Sequence, residues 1–132
     1  MSERLKFSEF DFDNLPDGRC RARVGLKLGA DSLFEGESEG LGSPTGELRT
    51  AAQAAVLALE HAVEGKIGLE LLGVKSVRAF DSTVVIVSLA CHDKASHRVV
   101  GSYLSDGHHP RGAALAVLNA TNRMLGNVVF TR

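Results

Sequence analysis

The chain has 132 residues, a length that fits one domain or two small halves with a shared core. With 44% hydrophobic residues and a formal net charge of -1, its composition is that of an ordinary globular protein, which excludes a disordered or strongly charged chain. The near-neutral charge also argues against a dedicated nucleic-acid binder, which normally has a basic face.

The two cysteines, Cys20 and Cys91, lie far apart in sequence within apolar, strand-like runs. A cysteine thiol is usually a small buried group, so both are expected to be buried. The sequence shows no charged-then-apolar leader, and no apolar run approaches the roughly 20 residues of a membrane span. A cytoplasmic protein without membrane or nucleic-acid partners is therefore predicted.

The first two predicted strands form a hairpin. Apolar and polar residues alternate over residues 5–12 with one break between Phe7 and Phe10, which indicates a strand with a bulge. Residues 14–18 form a turn, because their proline presets φ and their glycine accepts a positive φ. Strict alternation over residues 20–28 then predicts a half-buried strand.

Charged residues lie on the exposed side of this hairpin. Strand pairing would place Asp11 and Asp13 opposite the arginines of the second strand, Arg21 and Arg23. Opposite charges across a strand pair stabilise it, and charged faces are usually exposed to water. The arginines are therefore interpreted as half of a paired surface rather than as a phosphate-binding track.

A third strand and a helix complete the first half of the chain. Residues 33–39 are predicted to form the strand. The helix is predicted from Pro44 to about Glu64, with Ser43 as its N-cap and Gly65 as the residue that ends it. Its apolar positions follow helical spacing and many are alanine, so this helix should lie close against a sheet.

The second half repeats this order of elements. Strands are predicted at residues 69–80, with a kink near Gly73, at 83–91 and at 98–105. The second helix is predicted from Pro110 to Leu125 and ends at Gly126, and a short strand is predicted at 128–130. Gly36 and Gly101, about 65 residues apart, mark corresponding points of the two halves.

The order βββα-βββα predicts an α+β fold. We expect a tandem pseudo-twofold repeat in which antiparallel sheets have helices packed on one face. The chain is predicted to be a single domain, residues 1–132, with halves of about 4–65 and 68–130.

The middle strand of the second half is apolar on both faces. One helix covers only one face of its sheet, so the other face, around Val84, Ile86 and Ala90, needs a different cover. A second copy of the chain is the simplest cover, and a homodimer is therefore predicted.

Each predicted helix follows a glycine-rich turn. Helix N-termini present unpaired N–H groups and the positive end of the helix dipole, so each can hold a small anion. The glycines have an alternative role, since they also permit tight turns between strand and helix. The candidate ligand-binding residues are Gly40, Gly42, Ser43, Pro44, Thr45, Gly101, Asp106, Gly107, His108 and His109.

Other chemistries find less support in the sequence. His108 and His109 are adjacent, and adjacent side chains rarely reach one metal ion. A nucleophile needs a base and an orienting acid, and nothing brings Ser105, Asp106 and His108 together. The glycine segment has neither the P-loop pattern nor the dinucleotide fingerprint. No catalytic residue, metal site or cofactor is predicted.

Several motifs occur in a fixed order between about residues 19 and 125. They are the βββα repeat, the Gly-x-x-x-Gly-x-Gly-(x)-Pro opening of the first helix, the run Gly-Leu-Glu-Leu-Leu to Val-Arg-Ala over 68–79, and the ending from Val100-Gly101 through Asp106 and Ala113-Ala114 to Asn119-Ala120-Thr121-Asn122-Arg123. Together they resemble the C-terminal regulatory, leucine-sensing domain of 2-isopropylmalate synthase.

The resemblance implies a pseudo-twofold domain that dimerises and binds an effector, leucine in the family, near the glycine turns. The matching positions are Gly40, Gly42 and Pro44 in the first half and Gly101, Asp106 and Ala113 in the second. The chain departs from the family pattern at Leu41, Ser43, His108, His109 and Arg111, so the resemblance implies the fold more directly than the ligand. Neither the metal ligands nor the acyl-CoA site of the synthase is present, and no enzymatic activity is predicted.

Three interpretations of function remain open. The first is a non-catalytic, homodimeric regulatory module that binds an amino acid or another small carboxylate, alone or on behalf of a separate enzyme. The second is a structural dimerisation or protein-interaction module without a ligand. The third is a small enzyme that uses His108, His109 and Asp106.

Overall fold

The computed structural model describes residues 5–30, 32–92, 95–122 and 129–130. Seven strands, two α-helices and one 3-10 turn (Pro16–Gly18) lie within these residues, in the order predicted for a duplicated βββα unit. They are β1 (Leu5–Leu15), β2 (Arg19–Leu28), β3 (Ser32–Leu41), α1 (Pro44–Ala62), β4 (Gly68–Ala79), β5 (Ser82–His92), β6 (Ser96–Ser105), α2 (His109–Asn122) and β7 (Val129–Phe130). The predicted α+β fold is confirmed.

The strands form two sheets that repeat one pairing pattern. The first sheet has the order β3-β2-β1-β7 and the second the order β4-β5-β6. All neighbours are antiparallel except β7, which runs parallel to β1. β1 is bulged between Phe7 and Glu9, and β4 has the same irregularity between Leu71 and Gly73, both as predicted. The two bulges occupy corresponding positions, so the strand pairing follows the same pattern in both halves, as expected of a repeat.

The two helices lie side by side between the inner faces of the two sheets. α1 contacts β2 and β3 of the first sheet and β4 of the second, whereas α2 contacts β5 and β6 of the second sheet and β1 and β7 of the first. A helix with a sheet on either side must be apolar around most of its circumference. This placement explains why most positions of α2 from Gly112 to Thr121 are buried and so many of them are alanine.

Glycine allows each helix to approach its sheet closely. A Cβ atom added to Gly36 in β3 would lie 2.9 Å from the carbonyl carbon of Leu57 in α1. A Cβ atom added to Gly101 in β6 would lie 2.7 Å from the Cα atom of Ala120 in α2. Because the obstruction is helix backbone in both halves, these two glycines set the distance between helix and strand.

The start of α1 agrees with the prediction, and its end does not. The Ser43 hydroxyl accepts a hydrogen bond from the Gly46 N–H at 3.0 Å, and Pro44 is the first helical residue. The helix ends at Ala62, before the predicted Glu64. Glu64 and Gly65 both have positive φ, 56° and 72°, so the left-handed segment that ends the helix begins earlier than expected.

α2 begins one residue before its predicted start. The first helical residue is His109, so Pro110 occupies the second position, where the missing N–H is still harmless. The predicted end at Leu125 and Gly126 lies outside the described residues.

The outer face of the first sheet is a ladder of opposite charges. Arg23 in the central strand forms ion pairs with Glu9, Asp11 and Glu35. Further pairs join Arg21 to Asp13 and Glu37, and Arg19 to Glu39. The cross-strand pairing predicted for the arginines is therefore confirmed, and this face is stabilised by its own charges.

The equivalent face of the second sheet is mainly aliphatic along β5 and β6. The pairing register matches the arginines of β2 with aliphatic residues of β5, and the glutamates of β3 with aliphatic or small residues of β6. The correspondences are Arg21 with Val84, Arg23 with Ile86, Glu35 with Val100, Glu37 with Ser102 and Glu39 with Leu104. The two halves share a backbone pattern but have opposite surface chemistry.

Exposure on this apolar face is greatest at its edge. Val84, Ile86 and Ala90, the residues expected to be bare, are half-buried because β5 has a strand on each side. On β6, Val100 and Leu104 are 62% and 61% exposed. The uncovered apolar surface therefore lies mainly on β6 rather than on β5.

Two further features of the sequence can be compared with the structure. Cys20 and Cys91 both lie in the interior with none of their surface exposed, as predicted. Among the residues that the structure describes, no helix is long and apolar enough to cross a membrane.

Candidate functional site

A cavity of ≈ 660 Å³ lies where the N-termini of α1 and α2 meet. β1 contributes one wall and β4 another, so both halves of the repeat form it. Its lining combines apolar, hydroxyl, amide, imidazole and charged groups from Phe12, Asn14, Pro44, Thr45, Glu47, Leu48, Val74, Lys75, Ser76, Gly107, His108, His109 and Pro110. This volume and this mixture of groups are typical of small-molecule sites.

The structure brings some of the candidate ligand-binding residues together at this cavity. Pro44 and Thr45 from the start of α1, and Gly107, His108 and His109 from the start of α2, line it. The other candidates are not among the lining residues: Gly40, Gly42, Ser43, Gly101 and Asp106. The cavity is therefore lined by the first residues of the two helices, and of the candidate glycines only Gly107 lines it.

Three of the glycines outside the cavity have packing roles. Gly40 faces α1, where an added Cβ would overlap the side-chain oxygen Oγ1 of Thr50. The N–H of Gly42 donates to the Gly18 carbonyl at 2.8 Å, which ties the entry of α1 to the turn between β1 and β2. Gly101 lies against the backbone of α2. Gly40 and Gly101 lie within strands, so glycine there serves close packing rather than the tight turn considered above.

The first turn of each helix leaves one backbone donor beside the cavity. First-turn amides have no acceptor within their helix. In both helices one such amide is missing because the residue is proline, Pro44 or Pro110, and another donates to the capping side chain. The N–H groups of Thr45 and His109 remain, both residues line the cavity, and both carry the positive end of a helix dipole.

His108 caps α2 and also forms part of the cavity wall. Its Nδ1 accepts a hydrogen bond from the Arg111 N–H at 3.2 Å, and its carbonyl oxygen accepts one from the Gly112 N–H at 3.2 Å. Its ring stands edge-on to Phe10 and Phe12, with centroid distances of 5.7 and 5.6 Å. These contacts attach the start of α2 to β1, a strand of the other half.

Replacement of His108 is expected to loosen this attachment. His108→Ala removes the cap and both ring contacts, and should lower the free energy of unfolding by about 1 kcal/mol. His108→Asn keeps a capping oxygen and should recover part of the loss, because asparagine is a strong N-cap residue. Urea denaturation of both variants measures the difference, and equal losses would show that capping contributes nothing.

Ser105 and His109 form a polar pair next to the cavity. The Ser105 hydroxyl and Nδ1 of His109 share a hydrogen bond of 2.6 Å, and Ser105 is 6% exposed. Within the described part of the chain, no carboxylate bonds to the ring of His108 or His109, and no three metal-ligating side chains cluster. The pair holds His109 in place but lacks the orienting acid of a nucleophilic site.

Two charged side chains of opposite sign border the cavity. Glu47 lies in the first turn of α1, and Lys75 lies on β4, an edge strand. Lys75 pairs with Ile86 in the second sheet, is exposed, and is among the residues that line the cavity. Among the residues that the structure describes, neither Glu47 nor Lys75 takes part in a salt bridge.

Sequence reasoning missed the strand walls of the cavity. The residues concerned are Phe12, Asn14, Val74, Lys75 and Ser76, together with Glu47, Leu48 and Pro110 near the helix starts. No local motif marks these positions. The repeat offered one indirect signal, because β1 and β4 are corresponding strands and each runs beside the start of the helix from the other half.

Comparison of the sequence with protein-family models gave no match, and comparison with curated proteins gave none. The likeness to the regulatory domain of 2-isopropylmalate synthase therefore stays a prediction based on motifs.

Proposed function

We propose that the protein is a non-catalytic, homodimeric regulatory module whose cavity binds a small amino acid. One observation carries this proposal: two helix N-termini converge on a single cavity of ≈ 660 Å³. The amides of Thr45 and His109, with the two helix dipoles, favour a carboxylate between them. Lys75 also lines the cavity, and its positive charge likewise favours a carboxylate ligand.

The remaining lining residues match the other parts of an amino acid. Glu47 supplies a negative charge for the ammonium group, and Asn14, Thr45 and Ser76 supply hydrogen-bonding groups. Phe12, Leu48 and Val74 supply an apolar wall for an aliphatic side chain.

Two observations favour this proposal over the alternatives. A dimerisation module without a ligand would have its helix starts packed shut, whereas these helix starts border an open cavity. A small enzyme that uses His108, His109 and Asp106 would need these groups to converge, and Asp106 is exposed and does not line the cavity. The motif resemblance to a leucine-sensing domain agrees with an amino-acid-binding regulatory module.

The homodimer is proposed to form through the second sheet. The outer face of the first sheet is satisfied by its own ion pairs and carries an excess of carboxylates. The corresponding face of the second sheet exposes aliphatic side chains, and such surfaces mark sites of association.

The ligand is tested by titration calorimetry and thermal shift. L-Leucine is expected to bind more tightly than 4-methylpentanoate, which has the same carbon skeleton and carboxylate but no ammonium group. Glu47→Gln should weaken leucine binding by about tenfold, which corresponds to about 1.4 kcal/mol. The same substitution should leave the weaker binding of 4-methylpentanoate unchanged, because that probe does not use Glu47.

Glu64→Gln provides the matched control, since Glu64 lies beyond the opposite end of α1. This variant should bind leucine like the unmodified chain. At 100 times its dissociation constant a ligand raises the free energy of unfolding by about 2.7 kcal/mol. The absence of stabilisation by every amino acid and small carboxylate tried would overturn the proposed function.

A further inference from the structure

The edges of the two sheets differ in how well they are protected against pairing with another strand. The outward side chains of β3 include Glu35, Glu37 and Glu39, and charged residues discourage edge pairing. β4 is bulged at Gly73 and carries Lys75, two further protective features. β6 pairs with β5 in unbroken register from Ser96 to Ser105 and has no bulge and no proline. β6 is the least protected of these edges.

The most exposed aliphatic side chains of the second sheet lie on this same strand. Val100 and Leu104 point outward from β6 with 62% and 61% of their surfaces exposed. In β3 the corresponding positions are the carboxylates Glu35 and Glu39. The repeat therefore blocks one edge with charge and leaves the equivalent edge apolar.

The sequence of β6 is complementary to itself in one antiparallel register. When two copies of a strand pair around a twofold axis, the residues on either side of the axis face each other in reverse order. With the axis at Ser102, Val100 faces Leu104 of the second copy, and Arg98 faces Asp106 of the second copy. Each of these pairs occurs twice, one pair apolar and the other of opposite charge. A shift of the axis to Gly101 or Tyr103 loses both matches.

We propose that two copies of this chain associate edge to edge through β6, antiparallel, around a twofold axis at Ser102. This inference rests on the homodimer proposed above and specifies how it forms. The two second sheets then become one six-stranded sheet in the order β4-β5-β6-β6-β5-β4. On the inner face, Gly101 lies against α2 within its own chain, so the register is specified by the outward residues of β6.

One existing hydrogen bond must be shared in this arrangement. Nδ2 of Asn119 in α2 donates to the Ser102 carbonyl at 2.7 Å. A carbonyl oxygen has two lone pairs and can accept a second bond, so this contact is compatible with a strand added at the edge.

Cysteine cross-linking tests the pairing directly. Ser102→Cys places the introduced thiols at the twofold axis, within the distance that a disulfide spans in paired strands. Mild oxidation of the folded protein should give a covalent dimer. Glu37→Cys is the matched control, because it occupies the corresponding position on β3 and should remain uncross-linked. The native Cys20 and Cys91 are fully buried and do not interfere.

Charge exchange tests the register. Arg98→Asp alone and Asp106→Arg alone each set like charges opposite each other, and each should raise the dimer dissociation constant by roughly tenfold or more. The double variant restores opposite charges and should return the dissociation constant to that of the unmodified chain. Sedimentation equilibrium gives the constants. Failure of the double variant to recover would overturn this register.

A third variant tests whether the dimer uses β6 at all, since Leu104 contributes to both the edge and the outer apolar face. Leu104→Lys should convert the dimer to a monomer while leaving the circular dichroism spectrum unchanged, because the Leu104 side chain is exposed. A dimer that survives Leu104→Lys and does not cross-link at position 102 overturns pairing through β6 but leaves the homodimer proposal standing. A chain that stays monomeric at every concentration overturns both. Ligand binding is measured separately, so its failure is distinguishable from either outcome.

Discussion

Gly101→Ala is expected to destabilise the protein by about 3 kcal/mol, a large effect for one added methyl group. The new Cβ would lie 2.7 Å from the Cα atom of Ala120, and closer still to the Ala116 carbonyl oxygen and the Ala120 amide nitrogen. Backbone atoms cannot rotate aside as a side chain can, so α2 would have to move away from β6. Movement of α2 would also open the core contacts that its alanines make. Thermal unfolding should show a fall in Tm of roughly 10 °C.

Gly73→Ala serves as the matched control for this substitution. Gly73 also lies in a strand of the second sheet, but a Cβ atom there meets nothing within 4 Å. Its effect should stay within about 0.5 kcal/mol. Gly36→Ala should reproduce the large loss, since its Cβ would meet the backbone of α1. Equal stability of the Gly101 and Gly73 variants would show that α2 does not contact β6 as described.

The same two glycines explain why the fold was predictable from sequence. Gly36 and Gly101 recur about one repeat length apart, each before a helix rich in alanine. Small residues on both sides of a contact indicate a close approach of strand and helix, which is a local signal. The break in alternation at Phe7 likewise predicted the bulge of β1. The repeated glycine and alanine pattern and the break in alternation can both be read directly from the order of residues in a single sequence.

The cavity depends on contacts between distant residues and was only partly predictable. Helix starts at Pro44 and near Pro110 were visible in the sequence, and both border the cavity. That β1 lies beside α2 and β4 beside α1 follows from the placement of the helices between two sheets, which no motif encodes. Lys75 was missed because a lysine on an edge strand normally serves only solubility.

The role of His108 shows a second limit of sequence reasoning. Serine, threonine, aspartate and asparagine are the usual N-cap residues, so a histidine before a helix does not suggest a cap. Nδ1 of His108 nevertheless accepts the Arg111 N–H and caps the helix, which begins at His109. The capping function depends on the neighbouring Phe10 and Phe12 rings, which hold the imidazole in place.

Arg23→Met is expected to destabilise the protein by about 1 kcal/mol, because it leaves three half-exposed carboxylates of the charged ladder without their shared partner. The guanidinium pairs with Glu9 at 3.1 Å and with Asp11 and Glu35. Hydrogen bonds to Asp11 and Glu9 raise the pKa of Arg23 above its usual value, so the cation is present at any pH at which the protein folds. Methionine keeps the aliphatic packing of the side chain and removes the charge together with the guanidinium hydrogen-bond donors.

Salt dependence distinguishes this explanation from a simple loss of packing. In low salt the uncompensated carboxylates repel each other, and in molar salt this repulsion is screened over about 3 Å, so the cost of Arg23→Met should shrink. Arg21→Met is the control: its side chain is 40% exposed and has one hydrogen bond, to Asp13, so its cost should be about 0.5 kcal/mol. A cost for Arg23→Met that equals the control or ignores salt would mean that the ladder contributes no specific stability. Ile86 occupies the position in the second sheet that Arg23 occupies in the first. In our explanation the charged ladder allows the outer face of the first sheet to face water without a partner. That result would mean that the difference between the two outer faces has another cause.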